Sequence, residues 1–577
     1  MLQFLKYTLA TLTALVLFSF LGIIIFFVVV AAMVSSADKK KEIQPNSVLC
    51  LNMQGILEER IEEDLYSTLM QDDQLRSLGL DEILKSISVA KTDSCIKGIY
   101  IQSDIFVAGF ASTREIRNAL LDFKKSGKFV IAYADNFLQQ SYYLSSVADE
   151  IYINPIGSMD FRGLASEATF YTGLFKKLGV EMQVVKVGTY KSYTEQFTNT
   201  EMSPANREQM TVLTFSMWNS ILSDISLSRN ISVDTLNSLA SSYLTTQPQE
   251  RYVEVGLVDG LKYKDEVEGE LRKKFSLKED QDINLLTPSD LKTEDVSLND
   301  DKIAVVYAIG EIDNPQDDGI DSKKLVETLI SLKKDSSVKA VVLRINSPGG
   351  SGYGSEQIWR AIALLKEKKP IIASMGDYAA SGGYYLSCNA TKIFAEPTTL
   401  TGSIGVFGVI PNLEGLMDKI GVSSDVVKTN LYADMISYKR PMTESERNLL
   451  QSYIDRFYRQ FVSRCADGRS LPFDSIASVA QGRVWSGISA KQIGLVDELG
   501  DLSDAIKEAA NQAKINSYDV QYYPEKKSLL EQLMNIPSSS VKSLLSKYSI
   551  RNEYEMLEKI RNMDNIQAIL PYEIKVK

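Results

Sequence analysis

The sequence repeats itself at a near-constant spacing, and this limits the folds open to it. Cys95-Ile-Lys-Gly-Ile-Tyr-Ile aligns with Ser337-Val-Lys-Ala-Val-Val-Leu at an offset of 242. At the same offset, Tyr142-Tyr-Leu-Ser meets Tyr384-Tyr-Leu-Ser, and Ala148, Ile151 and Pro155 meet Ala390, Ile393 and Pro397. Val184-Val-Lys186 meets Val426-Val-Lys428 in the same way, while Gly256-Leu-Val-Asp259 matches Gly494-Leu-Val-Asp497 at 238. Solenoid repeats run to about 20–50 residues, so this period indicates two tandem domains of one fold.

Each copy alternates short β-branched runs with amphipathic helical stretches. In the first copy Ser47-Val-Leu-Cys-Leu-Asn-Met leads to Gly55; its partner Lys302-Ile-Ala-Val-Val-Tyr-Ala-Ile leads to Gly310. Ala340-Val-Val-Leu-Arg-Ile, a helical pattern over 355–369, and Pro370-Ile-Ile-Ala-Ser form one strand–helix–strand unit. Strands separated by helices imply right-handed βαβ crossovers and buried, mostly parallel sheets. The expected class is α/β. The expected domains are an N-terminal segment 1–37, a first repeat 47–285, a second repeat 302–517 and a C-terminal helical tail 518–577. The polar stretch 285–301 reads as the linker between repeats. In the tail, Leu529, Leu530, Leu533 and Met534 recur at helical spacing, as a packing or oligomer contact.

The 577 residues carry a net charge of −11 and no histidine. No basic stripe is available to neutralise phosphates, which argues against nucleic acid as a partner. Cys50, Cys95, Cys388 and Cys465 are scattered, with neither zinc-ligand spacing nor a disulfide framework. Without histidine, zinc and iron sites are disfavoured, although a carboxylate-bound hard cation stays open. Any hydrolase here works without the commonest general base.

Positions 7–37 hold no charged residue. A bilayer span needs about 20 apolar residues, and the apolar region of a cleaved signal peptide runs only to about 15. A transmembrane anchor is therefore expected. Orientation is contested: Lys6 precedes the run and Lys39-Lys-Lys41 follow it, so lysine counting places the body in the cytoplasm.

Three patches in the second copy are suited to chemistry. Asn346-Ser-Pro-Gly349-Gly350 follows a strand; paired glycines let backbone N–H groups point outward, as in an oxyanion hole, though Pro-Gly-Gly alone is also an ordinary turn. Gly376-Asp-Tyr-Ala-Ala-Ser381-Gly382-Gly suits a tight turn exposing a serine hydroxyl beside the Gly382 N–H, or equally an N-cap serine. Leu400-Thr-Gly-Ser403-Ile-Gly405 offers a further hydroxyl, or a turn.

The repeat serves as an internal control. In the first copy Asp104 stands at the place of Asn346, Val107-Ala108 at that of Gly349-Gly350, and Gln139 or Gln140 at that of Ser381. Nucleophile and glycine pair are absent together while the fold-building residues persist. The reverse comparison selects Lys191: Lys186 and Lys428 pair across the copies, but Thr189-Tyr-Lys191 faces Leu431-Tyr-Ala433. Most lysines are solvated surface charges. A lysine that activates a serine must be neutral, so its pKa must fall from about 10.4 by desolvation.

These residues also carry a family resemblance. Gly188-Thr-Tyr-Lys191-Ser, Met202-Ser-Pro, Ser347-Pro-Gly-Gly, the Ser381 motif and Leu400-Thr-Gly-Ser-Ile-Gly resemble the long, duplicated form of the signal peptide peptidase A family, over nearly the whole chain. The resemblance implies two ClpP/crotonase-like domains, a serine endopeptidase with Ser381 as nucleophile and Lys191 as general base, and no cofactor. It implies that Ser403 helps hold the lysine, and that Gly382, Gly349 and Gly350 form the oxyanion region. It further implies apolar remnant signal peptides as substrates, a homotetramer, and a body on the outer face of the cytoplasmic membrane. Two other classes stay in view: a crotonase-type acyl-CoA enzyme, which needs a nucleotide pocket, and a non-catalytic membrane scaffold.

Overall fold

The computed structural model describes residues 2–37, 43–61, 77–278, 281–291, 299–315, 319–526 and 567–569. An N-terminal helix, Leu2–Ala37, precedes the two repeats. Its side chains are described only as far as Ile25, so the run 7–37 lies partly outside the described residues. Among the described residues no helix is long and apolar enough to cross a membrane.

The first repeat supplies strands β1 (Ser47–Glu58), β2 (Ser77–Gly79), β3 (Ile96–Val107), β4 (Phe129–Ala134), β5 (Glu150–Ile153), β6 (Glu181–Val187), β7 (Gly260–Leu261) and β8 (Leu285–Leu286). The second supplies β9 (Lys302–Ile309), β10 (Val338–Ser347), β11 (Gly349–Ser351), β12 (Ile371–Ala380), β13 (Lys392–Ala395), β14 (Leu400–Gly402), β15 (Val406–Asn412), β16 (Val484–Ser486), β17 (Glu498–Leu499), β18 (Asp519–Tyr523) and β19 (Gln567–Ile569). One sheet runs β2-β1-β3-β4-β5-β7 and the other β16-β14-β12-β10-β9-β18. The central pairs β1–β3, β3–β4, β9–β10 and β10–β12 are all parallel. Helices cover both faces. Runs such as Ile303–Ala308 are therefore buried at every position, and this is why they read as unbroken apolar stretches.

The duplication persists to single hydrogen bonds. Tyr142 donates its hydroxyl to Leu257 O at 2.9 Å, and Tyr384 donates to Leu495 O at 2.9 Å. The Ile151 and Ile393 N–H groups each reach the Oδ2 of Asp259 and Asp497 at 2.8 Å. Arg229 and Arg469, each ending a 26-residue helix, bind those same aspartates.

Two segments depart from the expected pattern. The part of the chain expected to begin a helical tail opens as β18, parallel to β9. Its Asp-Val-Gln-Tyr-Tyr sequence is β-branched and aromatic, and it meets an open sheet edge. The apolar stripe at 529–534 lies outside the described residues. The start of the expected linker, Leu285–Leu286, is likewise a strand, paired with β1.

A third sheet, β11-β19-β15-β6, joins the repeats. In it β6 of the first repeat runs antiparallel to β15 of the second, with Val187 facing Val406 and Glu181 facing Asn412. This pairing carries the chain following β6 across to the second repeat.

Candidate active site

β12 ends at Ala380, and a six-residue helix, Gly382–Ser387, follows at once. Ser381 turns the corner with φ 56° and ψ −114°. An L-residue held there costs about 1–3 kcal/mol, so the surroundings must impose it. The Ser381 N–H donates to Gly402 O at 2.8 Å, and its carbonyl accepts from Tyr385 N at 2.9 Å. The glycines that follow are required by space. A Cβ on Gly382 would lie 2.8 Å from Ser355 Oγ and 3.1 Å from Gly349 Cα, and one on Gly383 would lie 2.6 Å from Ser347 O. The serine turn thus packs directly on the Gly349–Gly350 loop, whose φ values are 114° and 145°.

Lys191 arrives from the other repeat. After β6, Gly188 (φ 114°) passes so close to Gln481 that a Cβ would sit 2.6 Å from its carbonyl carbon. Tyr190 N donates to Gln481 O at 2.9 Å. Gln209, on the helix Pro204–Arg229, donates to Tyr190 O at 3.0 Å and Ser192 Oγ at 2.9 Å, holding the stretch on both sides of the lysine. Ser403, at φ 50°, is fixed by its N–H on Arg483 O at 2.7 Å.

The three side chains converge. Lys191 Nζ lies 2.9 Å from Ser381 Oγ, 3.0 Å from Ser403 Oγ and 3.2 Å from Ser403 O, and all three residues are fully buried. Burial holds the Lys191 amine well below its ordinary pKa. A neutral amine has two N–H groups and one lone pair. Two donors for the Ser403 oxygens and one acceptor for the Ser381 hydroxyl match the three contacts. Such an arrangement can take a proton from Ser381.

The glutamines at the corresponding place in the first repeat serve structure. Gln139 accepts from Arg162 N and Gly163 N at 3.1 and 2.8 Å, and Gln140 donates to Gly109 O at 3.3 Å. Ala433, opposite Lys191 in the repeat, is exposed. Several site residues escaped sequence reasoning. Gln209 and Gly482 hold the lysine backbone, and Phe407 lies under its amine with the Tyr193 ring stacked on it at 5.0 Å. The one sequence signal was Gln481-Gly482, a turn-forming pair whose partner is distant in the chain. Among the described residues no group of three His, Cys, Asp or Glu side chains is placed to hold a metal ion.

Gly482 gives a direct test of this positioning. Its φ is 75°, and an added Cβ would lie 2.6–2.8 Å from the Cβ, N and Cα of Lys191. Gly482→Ala is expected to displace Lys191 and lower kcat/KM by about 10²-fold, as a misplacement near 1 Å does. Wild-type kcat/KM in this variant would show that Lys191 placement is unimportant.

Comparison with known proteins agrees with the repeat. The model of peptidase family S49 matches residues 122–278 and again 363–516, one match in each repeat. The Clp protease family model matches 306–400, which holds Gly349, Gly350 and Ser381. Protease 4 of Salmonella typhi is 37% identical over 492 residues, covering 82% of this chain and 78% of that one. Protease 4 of Haemophilus influenzae is 33% identical over 563 residues, covering 92% and 90%. The chloroplastic serine protease SPPA of Arabidopsis thaliana is 32% identical over 521 residues, covering 88% and 74%. With both family matches falling on the duplicated α/β units, this chain belongs to peptidase family S49 and is a serine peptidase.

Proposed function

We propose that the chain is a membrane-anchored endopeptidase working through a Ser381–Lys191 dyad, and that it degrades apolar remnant signal peptides. The observation that carries this reading is the 2.9 Å contact between Lys191 Nζ and Ser381 Oγ, made by an amine whose burial favours its neutral form. Ser381 Oγ attacks the peptide carbonyl as Lys191 takes its proton. Lys191 then gives that proton to the leaving amine. Water, deprotonated by the same amine, hydrolyses the acyl-enzyme. Ser403 keeps the amine aimed. The N–H groups of Gly382 and the Gly349–Gly350 loop stabilise the oxyanion.

Strand addition by the chain's own β19 supports this reading. β19 lies antiparallel to β11, with Gly349 facing Ile569 and Gly350 facing Ala568, and its other side meets β15 at Phe407. Substrate strands are read in the same way, through main-chain bonds along the glycine loop. The anchor reading draws on the helix Leu2–Ala37, where Phe4, Leu12, Leu15, Phe18, Leu21 and Ile25 are all exposed. We place the body on the outer face of the cytoplasmic membrane, against the lysine count.

A fluorophosphonate probe tests the nucleophile. Ser381 is expected to be the labelled residue, and Ser381→Ala to abolish both labelling and peptide hydrolysis while the protein melts as the wild type does. Labelling of a different serine, with activity kept in Ser381→Ala, would sink the assignment.

A further inference from the structure

The two repeats cap their long helices differently, and the difference leads to Lys191. The helices Pro204–Arg229 and Glu444–Arg469 are counterparts at an offset of 240. Each starts from a hydroxyl N-cap, Ser203 or Thr443, whose oxygen accepts from the backbone N–H three residues on. In the second repeat the third helical residue, Glu446, reaches back to Thr443 N at 2.8 Å and closes a capping box. In the first repeat the N-cap N–H donates to Glu195 Oε2 at 3.1 Å, a carboxylate from outside the helix. The third helical residue there is Asn206, and its side chain faces the same carboxylate. Gln209, one turn further on, has the exposed Leu449 as its counterpart. Ser437 or Met435 stands in place of Glu195, as the offset is taken at 242 or 240. These polar groups are therefore specific to the repeat that carries the lysine.

They form one continuous chain of hydrogen bonds. Glu195 lies just beyond the short 3₁₀ turn Ser192–Thr194 that follows Lys191. Glu195, Asn206 and Gln209 are all buried. Glu195 Oε1 accepts from Ser203 Oγ at 2.6 Å, and Oε2 accepts from Asn206 Nδ2 at 3.1 Å. Asn206 Oδ1 accepts from Gln209 Nε2 at 3.2 Å. The same Nε2 faces Tyr190 O and Ser192 Oγ, on either side of Lys191. Gln209 Oε1 accepts from Val484 N at 3.3 Å. Val484 begins β16, where it faces Gly402, whose carbonyl holds the Ser381 N–H. The carbonyl of its neighbour Arg483 holds the Ser403 N–H. One buried amide thus spans the lysine segment and the strand on which both serines are fixed.

The polarity of this chain is set from one end. The Ser203 N–H is a backbone donor, so an oxygen must stand at Oε2 of Glu195, and a carboxylate has no hydrogen to offer. Asn206 must therefore turn Nδ2 to Glu195, which leaves Oδ1 for Gln209. Gln209 must then turn Nε2 to Asn206 and the lysine segment, which leaves Oε1 for Val484. Turned over, Gln209 would set an oxygen against Tyr190 O and Asn206 Oδ1, and Nε2 against the Val484 N–H. Buried polar groups mismatched in this way are costly. We propose that Glu195 is a positioning residue: its acceptor oxygen orients the Asn206 and Gln209 amides, and through them fixes Lys191 against Ser381 and Ser403. The proposal rests on the dyad reading above.

Kinetics of the full-length, detergent-solubilised chain test this, with a quenched apolar peptide as substrate and a fluorophosphonate as the label for Ser381. Glu195→Met is expected to lower kcat and the labelling rate together by about 10²-fold, with KM little changed, since the loss lies in the placement of the base. Glu195→Gln keeps an oxygen for Ser203 N and Asn206 Nδ2, and is expected to stay within about threefold of wild type. Asn206→Leu keeps the Ser203–Glu195 cap but breaks the chain at its next link, and is expected to match the kcat loss of Glu195→Met without depending on that variant's folding. In Glu195→Met/Gln209→Met the losses are expected to overlap rather than multiply, because both variants break one chain. Wild-type kcat in Glu195→Met or Asn206→Leu would overturn the proposal. So would a loss confined to KM, a Glu195→Gln protein as impaired as Glu195→Met, or losses that multiply in the double variant. Lys191→Met separates this from the dyad reading. Slow labelling in Lys191→Met beside wild-type labelling in Glu195→Met would sink the role of Glu195 alone, whereas wild-type labelling in Lys191→Met would sink the dyad and this role with it.

Discussion

Replacing Lys191 with methionine is expected to lower kcat by roughly 10⁴- to 10⁶-fold, the range found when one member of a serine-protease catalytic unit is removed. Methionine is likewise unbranched and only one atom shorter, and the site is buried, so the fold is kept while the base is lost. Lys191→Arg is expected to be as inactive, because a guanidinium stays protonated and has no lone pair to offer Ser381. In the wild type, activity is expected to fall on acidification as Lys191 takes up a proton, giving kcat/KM an acid limb at the folded pKa of the amine. Stability provides a second readout. Burial lowers the Lys191 pKa in the folded state, so below about 10.4 the unfolded chain binds a proton that the folded chain does not. The wild type therefore loses stability as pH falls from that value, levelling off below the folded pKa. Methionine has no such proton, so denaturant melts at stepped pH should show the difference moving in the variant's favour on acidification. A pH-independent difference would mean that Lys191 is charged in the folded protein, and the dyad would fail with it.

Much of this arrangement was legible in the sequence because the chain contains its own comparison. Ser381, Lys191 and the Gly349–Gly350 pair emerged as what each copy lacks, and the structure brings Ser381, Lys191 and Ser403 within hydrogen-bond reach and seats Gly382 on Gly349. What stayed hidden depends on contacts between distant segments. Gln209 and Gly482 sit in unremarkable local sequence, and their role exists only because the Lys191 stretch lies against both. The pairing of Val184-Val-Lys186 with Val426-Val-Lys428 was correct as sequence, yet only the first is a strand. Local composition is nearly the same in the two; an edge to pair with is present for one and absent for the other. The departure from a helical tail at 518 has the same origin, since β18 is a strand through the open edge of β9.

Arg344 is the second position where a large effect is expected. Its guanidinium is fully buried where the repeats meet. Nε and Nη2 each donate to Glu59 at 2.9 Å, and Nη2 lies 2.6 Å from Glu115 Oε1. Both carboxylates come from the first repeat, and Arg344 stands on β10 of the second, five residues ahead of Gly349. Asn346 joins the cluster by donating to Glu59 at 3.1 Å. Burial, above all, raises the Glu115 pKa well beyond the ordinary carboxylate range, and the guanidinium opposes that rise. Arg344→Met removes the guanidinium that both acids contact and leaves two buried carboxyl groups without it, which is expected to cost about 3–5 kcal/mol. The penalty should shrink as pH falls toward the unfolded carboxylate pKa, near 4.3, because Glu115, with no guanidinium opposing its rise, is then accommodated in neutral form. Adding Glu59→Gln and Glu115→Gln to Arg344→Met should return much of the loss at neutral pH. Urea melts of the single and triple variants at pH 7 and pH 5 distinguish the causes. A loss that ignores pH and survives in the triple variant would assign Arg344 a packing role, and the charge cluster would not be what binds the repeats together.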